Sequence, residues 1–210
     1  MSLEKALESL RLGKPIAVYD SDDREGEADL MFHAACASPE KIELLRKDAG
    51  GLICLATNEE TAEKLKLPFF ADFVCAEVSQ IKEMKCTKTA YGDKPAFSIS
   101  INHNKVYTGI TDNDRALTIS EFGKLVANGC DRSSFIKNFY TPGHVFLLIS
   151  RGIEKRRGHT ELSIELAKRA GLPPAMVLCE MLGKGKARSK EEVKEYCKKN
   201  GIVFLEGNDI

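Results

Sequence analysis

The spacing of apolar side chains along this 210-residue chain switches repeatedly between helical and extended periods. Leu3, Leu7 and Leu10 share one helix face, which Gly13 and Pro15 close. Ile16–Tyr19 reads as a short apolar strand and residues 30–35 as a second, with the acidic stretch DSDDREGEAD between them. Ser38-Pro39-Glu40 opens a helix with a side-chain cap, a proline in the first position and an acid in the first turn. Ile42, Leu44 and Leu45 line that helix until Gly50-Gly51 stops it. Residues 52–56 predict a buried strand, and Asn58 caps a helix running through Leu65. From Pro68 to Lys94 the pattern weakens, with a turn signal only at Gly92-Asp93.

Periodicity returns at Phe97–His103, where Phe97, Ile99 and Ile101 alternate with Ser98, Ser100 and Asn102, as in a half-buried strand. A turn-rich polar loop follows at residues 108–115, then helical spacing over 119–127 that ends at Gly129. Thr141-Pro142-Gly143-His144 reads as a turn before a buried strand at 145–149. Thr160 begins a helix carrying Leu162, Leu166 and Ala170, and residues 175–182 form another strand. Ser189 and Glu192 make a capping box for a last helix, and 202–205 a final strand. Strands and helices interleaved in this way predict an α/β domain with some α+β character, in which helices flank a mixed, twisted sheet in three layers. No linker-like segment or repeat divides the chain, so residues 1–210 are expected to form a single domain.

Composition narrows the function. Lys plus Arg and Asp plus Glu number 31 each, so the net charge is zero and the basic excess of a nucleic-acid binder is lacking. Seven cysteines, odd in number and without a CxxC pair, argue against a disulfide framework or a structural zinc site. Reduced thiols, an N-terminus without a signal-peptide pattern and no membrane-length apolar run lead to the expectation of a soluble, cytoplasmic protein.

The candidate chemistry is concentrated in a few places. Residues 20–29 gather Asp20, Asp22, Asp23, Glu25, Glu27 and Asp29 around Arg24, between two strands. Such crowded carboxylates repel unless a cation or shared proton offsets them, and hard oxygen ligands suit magnesium or manganese. The same run can equally be a solvated turn, and it lacks EF-hand spacing. Arg156-Arg157-Gly158-His159-Thr160-Glu161 stands at a helix start, where free N–H groups and a forked guanidinium suit a phosphate. His144 follows a glycine turn, Glu180 lies in an apolar strand where a carboxylate needs a partner, and Cys54 lies inside another strand. Thr111 belongs to the polar loop, whereas His33 and His103 sit in strands without acidic neighbours and are read as structural.

Taken in order, DSDDREGEAD, KDAGGLICLAT, TGITDNDRA, TPGHVFLL, RRGHTELSIELAKRAG and PPAMVLCEML resemble the 3,4-dihydroxy-2-butanone 4-phosphate synthases of riboflavin biosynthesis, with TGITDNDRA in the archaeal form. The resemblance implies a magnesium-dependent lyase that converts D-ribulose 5-phosphate to 3,4-dihydroxy-2-butanone 4-phosphate and formate. It makes Glu25 and His159 metal ligands, with Mn2+ as the alternative to Mg2+, and His144 and Glu180 essential for catalysis. Arg24, Glu25, Asp29 and residues 156–160 would contact the sugar phosphate, and Asp20 or Asp22, Glu27, Cys54 and Thr111 would line the site. It also implies a homodimer with the site near its interface, without nucleic acid or membrane as partner. REGEAD stands where many members carry RENEGD, yet Glu25, Glu27 and Asp29 keep their places. No segment matching a fused GTP cyclohydrolase II domain is present, so a single activity is expected. The rival readings are a phosphosugar isomerase or aldolase and, more remotely, a module that binds nucleotides or double-stranded RNA.

Overall fold

The computed structural model describes residues 2–77, Thr89 and residues 92–210, with the side chains of Cys75 and Glu77 left aside. Seven strands form one mixed sheet: β1 (Ile16–Tyr19), β2 (Ala28–His33), β3 (Cys54–Asn58), β4 (Phe97–His103), β5 (Phe139–Ser150), β6 (Ala175–Glu180) and β7 (Val203–Glu206). Their order across the sheet is β4-β5-β3-β6-β2-β1-β7. Only β3 with β5 and β1 with β7 run parallel, and the other neighbours are antiparallel.

Helices cover both faces, which gives the three layers. On one face α1 (Ser2–Arg11) and α7 (His159–Arg169) pack Leu7, Leu10, Leu162 and Leu166 against Val18, Met31, Ala56 and Leu178. On the other, α2 (Pro39–Leu44) and its π-helical extension, α3 (Glu59–Leu65), α5 (Asp112–Ala127), α6 (Arg132–Asn138) and α8 (Lys190–Asn200) enclose Leu30, Phe32, Leu55, Phe122 and Leu147. The remaining helix, α4 (Phe70–Glu77), packs on β4. The β2, β6 and β3 strands are buried on both sides, so period-two alternation sorts their residues between two apolar layers.

Local chemistry explains most boundaries. Ser38, Asn58 and Ser189 cap their helices as expected, and the Ser189–Glu192 box is reciprocal. Three expectations are corrected. The polar loop at 108–115 ends early: Thr111 is the N-cap of α5, accepting from the Asp114 N–H, so Asp112 already lies in the helix. Residues 141–144 are no turn but the exposed first half of β5, where Gly143 fits because a Cβ there would run into the Ile101 backbone. In β4, register shifts between its pairs with β5 bring Ser98 into the core and leave Phe97 38% exposed, reversing the expected alternation there. The weak segment after Pro68 contains α4, and residues 78–88, 90 and 91 lie outside the described residues. Five cysteines are free thiols, and Cys86 and the Cys75 side chain lie outside the description. No helix among the described residues is long and apolar enough to cross a membrane.

Candidate active site

Strand parity assembles the site. Asp29 on β2 pairs directly with Glu180 on β6. Cys54 on β3 pairs with Leu178 on one side and Phe146 on the other. Glu180 lies two residues beyond Leu178 and His144 two before Phe146, displacements that run the same way because β6 opposes β3 while β5 follows it. Even steps keep a side chain on one face, so Asp29, Glu180, Cys54 and His144 all project toward the α7 layer at one end of the sheet. The backbones bearing Glu180 and His144 are two strands, roughly 10 Å, apart.

Asp20, one even step past Val18 on β1, organises the loop that rises over this end. Its side chain is fully buried and accepts from Arg24 Nη1 at 3.0 Å. It also accepts from the Glu25 N–H at 3.0 Å and the Glu27 N–H at 3.1 Å. Those bonds fold the loop so that Glu25 turns back toward the N-terminus of α7. There His159 Nδ1 stands 3.2 Å from Glu25 Oε2 and 3.7 Å from Asp29 Oδ1, while Nε2 is 3.2 Å from the Glu27 carbonyl oxygen. A carbonyl can only accept, so Nε2 carries the proton and Nδ1 directs a lone pair, or a second proton, at two carboxylates.

That arrangement calls for a cation. Ligand atoms of Asp20, Glu25 and His159 lie within 4.8 Å of one another, and Asp29 Oδ1 is buried without a hydrogen-bond partner. Burial pushes the Asp29 carboxyl up to about 8, against the pull of His159. For His159, burial works against the charged ring, but Asp29, Glu25 and Asp20 outweigh it and raise the imidazole to about 9. Burial and the neighbouring Glu25 also raise Glu27. The donor set therefore fits a hard divalent ion, with the Nε2–H···O=C bond orienting the imidazole as such ligands require. Both shifts have one sign in stability. Asp29 and His159 bind their protons more tightly folded than unfolded, so their contribution is complete below the unfolded values and fades as pH rises through about 8 and about 9. The metal-free chain should accordingly lose thermal stability between about pH 4 and 9, most steeply above about pH 6.5 where both groups contribute, and millimolar Mg2+ should suppress the loss; scanning calorimetry with and without chelator measures both.

The arginines form the other half. Arg24 contacts Asp20, Glu25 and Asp93, and Arg156 contacts Glu161 and Asp93. Gly158, the N-cap of α7, lies under both guanidinium groups, where a Cβ would collide with them. With Lys155 and Arg157 they edge an open cleft of about 480 Å³. Thr160 is buried in the first turn of α7, and the capping place expected for it belongs to Gly158. Glu180 Oε2 accepts from the Leu52 N–H at 2.7 Å, with Gly51 packed so closely that only glycine fits. His144 is exposed, yet its N–H donates to Asn102 Oδ1 at 2.8 Å and its Nδ1 lies 3.1 Å from Asn102 Nδ2. Cys54 is buried on the same face; burial, Glu180 and Asp29 keep its thiol protonated.

Two assigned positions fall elsewhere. Asp22 is 75% exposed at its side chain and binds Tyr19 and Lys190 on the turn that follows β1; Asp20 takes the place expected for one of the pair. Thr111 lines a separate shallow cavity with Pro39, Glu43 and Asp112. Asp93 and Asn102 were not singled out by the sequence pattern, and Glu161 stood in the Arg156–Glu161 run without a role of its own.

The 3,4-dihydroxy-2-butanone 4-phosphate synthase family model matches residues 4–210. The chain belongs to this family. The synthase of Methanosarcina mazei is 45% identical over 221 residues, covering all of this chain and 89% of that protein. That of Archaeoglobus fulgidus is 40% identical over 222 residues, with 100% and 92% covered. A crystal structure of a 3,4-dihydroxy-2-butanone 4-phosphate synthase in complex with two magnesium ions superposes with a TM-score of 0.80 at 26% identity, over 99% of this chain and 93% of that one. The reaction of the synthase family, part of riboflavin biosynthesis, takes D-ribulose 5-phosphate to 3,4-dihydroxy-2-butanone 4-phosphate and formate.

Proposed function

We propose that residues 1–210 form one synthase domain in which Glu25, His159 and Asp20 bind Mg2+ or Mn2+, and Arg24, Arg156 and the start of α7 receive the sugar phosphate. The observation that carries this reading is the buried imidazole facing Glu25 and the unpartnered Asp29 oxygen, beside a cleft edged by arginines. When bound, the cation supplies Lewis-acid stabilisation of negative charge on the sugar oxygens.

The protein's own groups move the protons. The Asn102 carbonyl is committed to the His144 N–H, so its amide nitrogen faces the ring and donates to Nδ1. The neutral ring then carries its proton on Nε2, which makes His144 the donor toward substrate oxygens. Glu180, braced by Leu52, is left as the acceptor of the proton next to the carbonyl. Asp29 lies against Glu180 in the sheet and is placed to contact the sugar hydroxyls, with Glu27 and Cys54 lining the wall. Asn102→Ala should lower kcat by about tenfold to a hundredfold while KM and metal affinity hold, as steady-state formate release will report.

A homodimer fits the exposed apolar side chains Tyr107, Ile110, Ile136 and Tyr140 near His144 and Asn102. The cytoplasm is the compartment that suits five free thiols. Incubation with D-ribulose 5-phosphate and Mg2+, with and without chelator, tests the reading: formate should appear only with metal. Ketose–aldose exchange without formate would instead indicate an isomerase.

A further inference from the structure

Two carboxylates stand against both arginines: Glu25 on the side of the ion-binding trio, and Asp93 at the cleft. Asp93 Oδ2 accepts from Arg24 Nη2 at 3.0 Å and Nε at 3.2 Å, and stands 3.2 Å from Arg156 Nε. Arg24 and Arg156 are mostly buried, with 11% and 9% of their side chains exposed, and each has an inner partner whose side chain is wholly buried, Asp20 and Glu161 respectively. Asp93 is the outer partner, 30% exposed, and it lies off the sheet, with its main-chain N–H and carbonyl both bonded to the Thr89 hydroxyl. The inner pairs thus aim the two guanidinium groups, and Asp93 stands beside them at the cleft, hydrogen-bonded to Arg24 and at ion-pair distance from Arg156. A phosphate monoester uses those same donors and carries close to two negative charges, so it cannot bind while a carboxylate stands there.

We propose that Asp93 is an internal anion seated where the substrate's phosphate group binds, and that it sets phosphate affinity by competing for Arg24 and Arg156. The proposal rests on the reading of Arg24 and Arg156 as the phosphate end of the site. Competition serves selectivity: a neutral sugar leaves the carboxylate in place, whereas a phosphorylated one exchanges one anion for another at small net electrostatic cost. In Asp93→Asn the competing charge is gone and the shape is kept, so inorganic phosphate should inhibit formate release, and bind in calorimetry, roughly tenfold more tightly, the scale of one charge-assisted hydrogen bond. Asp93→Glu should stay near the parent value. Arg156→Met supplies the independent arm, since its loss of phosphate binding establishes the arginine reading whatever Asp93 does. If Asp93→Asn binds phosphate no better than the parent, or worse, Asp93 orders the arginines for substrate and the competition proposal is overturned; an unchanged Arg156→Met would overturn the reading beneath it as well.

Discussion

Glu25→Gln and His159→Ala should each abolish formate production, by about a thousandfold or more, while the chain remains folded. The two residues approach from opposite ends of the sequence, 134 positions apart, and meet at 3.2 Å. Glutamine keeps the size of Glu25 and its contact with the loop but removes the charge that, with Asp20, offsets a divalent ion. Alanine at 159 removes the nitrogen ligand of the trio, the bond to the Glu27 carbonyl and the imidazole beside buried Asp29. In both variants calorimetric titration with Mn2+ should lose its heat, and near-ultraviolet circular dichroism should remain that of the parent. A variant that turns over normally would show that the ion, if bound, lies elsewhere.

The second large effect concerns stability. Asp20→Ala should destabilise the protein by about 3–5 kcal/mol, the usual consequence of removing one partner from a buried ion pair. Its carboxylate accepts from Arg24 Nη1 and from two main-chain N–H groups, and its own N–H closes the loop on the Glu27 carbonyl. Without it, a mostly buried guanidinium keeps two carboxylates but loses the one fixed to the sheet. For a chain of this size that is a fall in Tm on the order of 10 °C, accompanied by lost activity. Asp22→Ala is the control. That carboxylate is 75% exposed and binds Lys190 on the outer surface, so Tm should stay within about 2 °C of the parent.

How far the sequence reaches is visible at individual residues. Caps and breakers were legible because they act locally: Ser38, Asn58, Ser189 and Gly50 do what their side chains or lack of one require. Continuous apolar runs located β1 and β6 closely because both are walled by apolar layers. The first half of β5 escaped since Thr141, Pro142 and Gly143 carry turn chemistry, and they run extended between the pairs that Tyr140 and Val145 make with β4. The choice between Asp20 and Asp22 needed tertiary knowledge as well, namely which way the loop folds after the last residue of β1. Asp93 was invisible for the same reason: nothing near it in the chain announces two arginines, one of them 69 positions away.

Because one wall of the site comes from the β1–β2 loop and the other from the start of α7, the ion-binding trio cannot exist in any early segment of the chain. During synthesis at the ribosome, most of the polypeptide must emerge before Glu25 and His159 can meet, and the long loop between them must close first. The cation is thus a ligand of the finished topology only. Its uptake by a refolding chain would report the last long-range closure rather than the first collapse, which makes metal affinity a built-in clock for the slowest step of assembly.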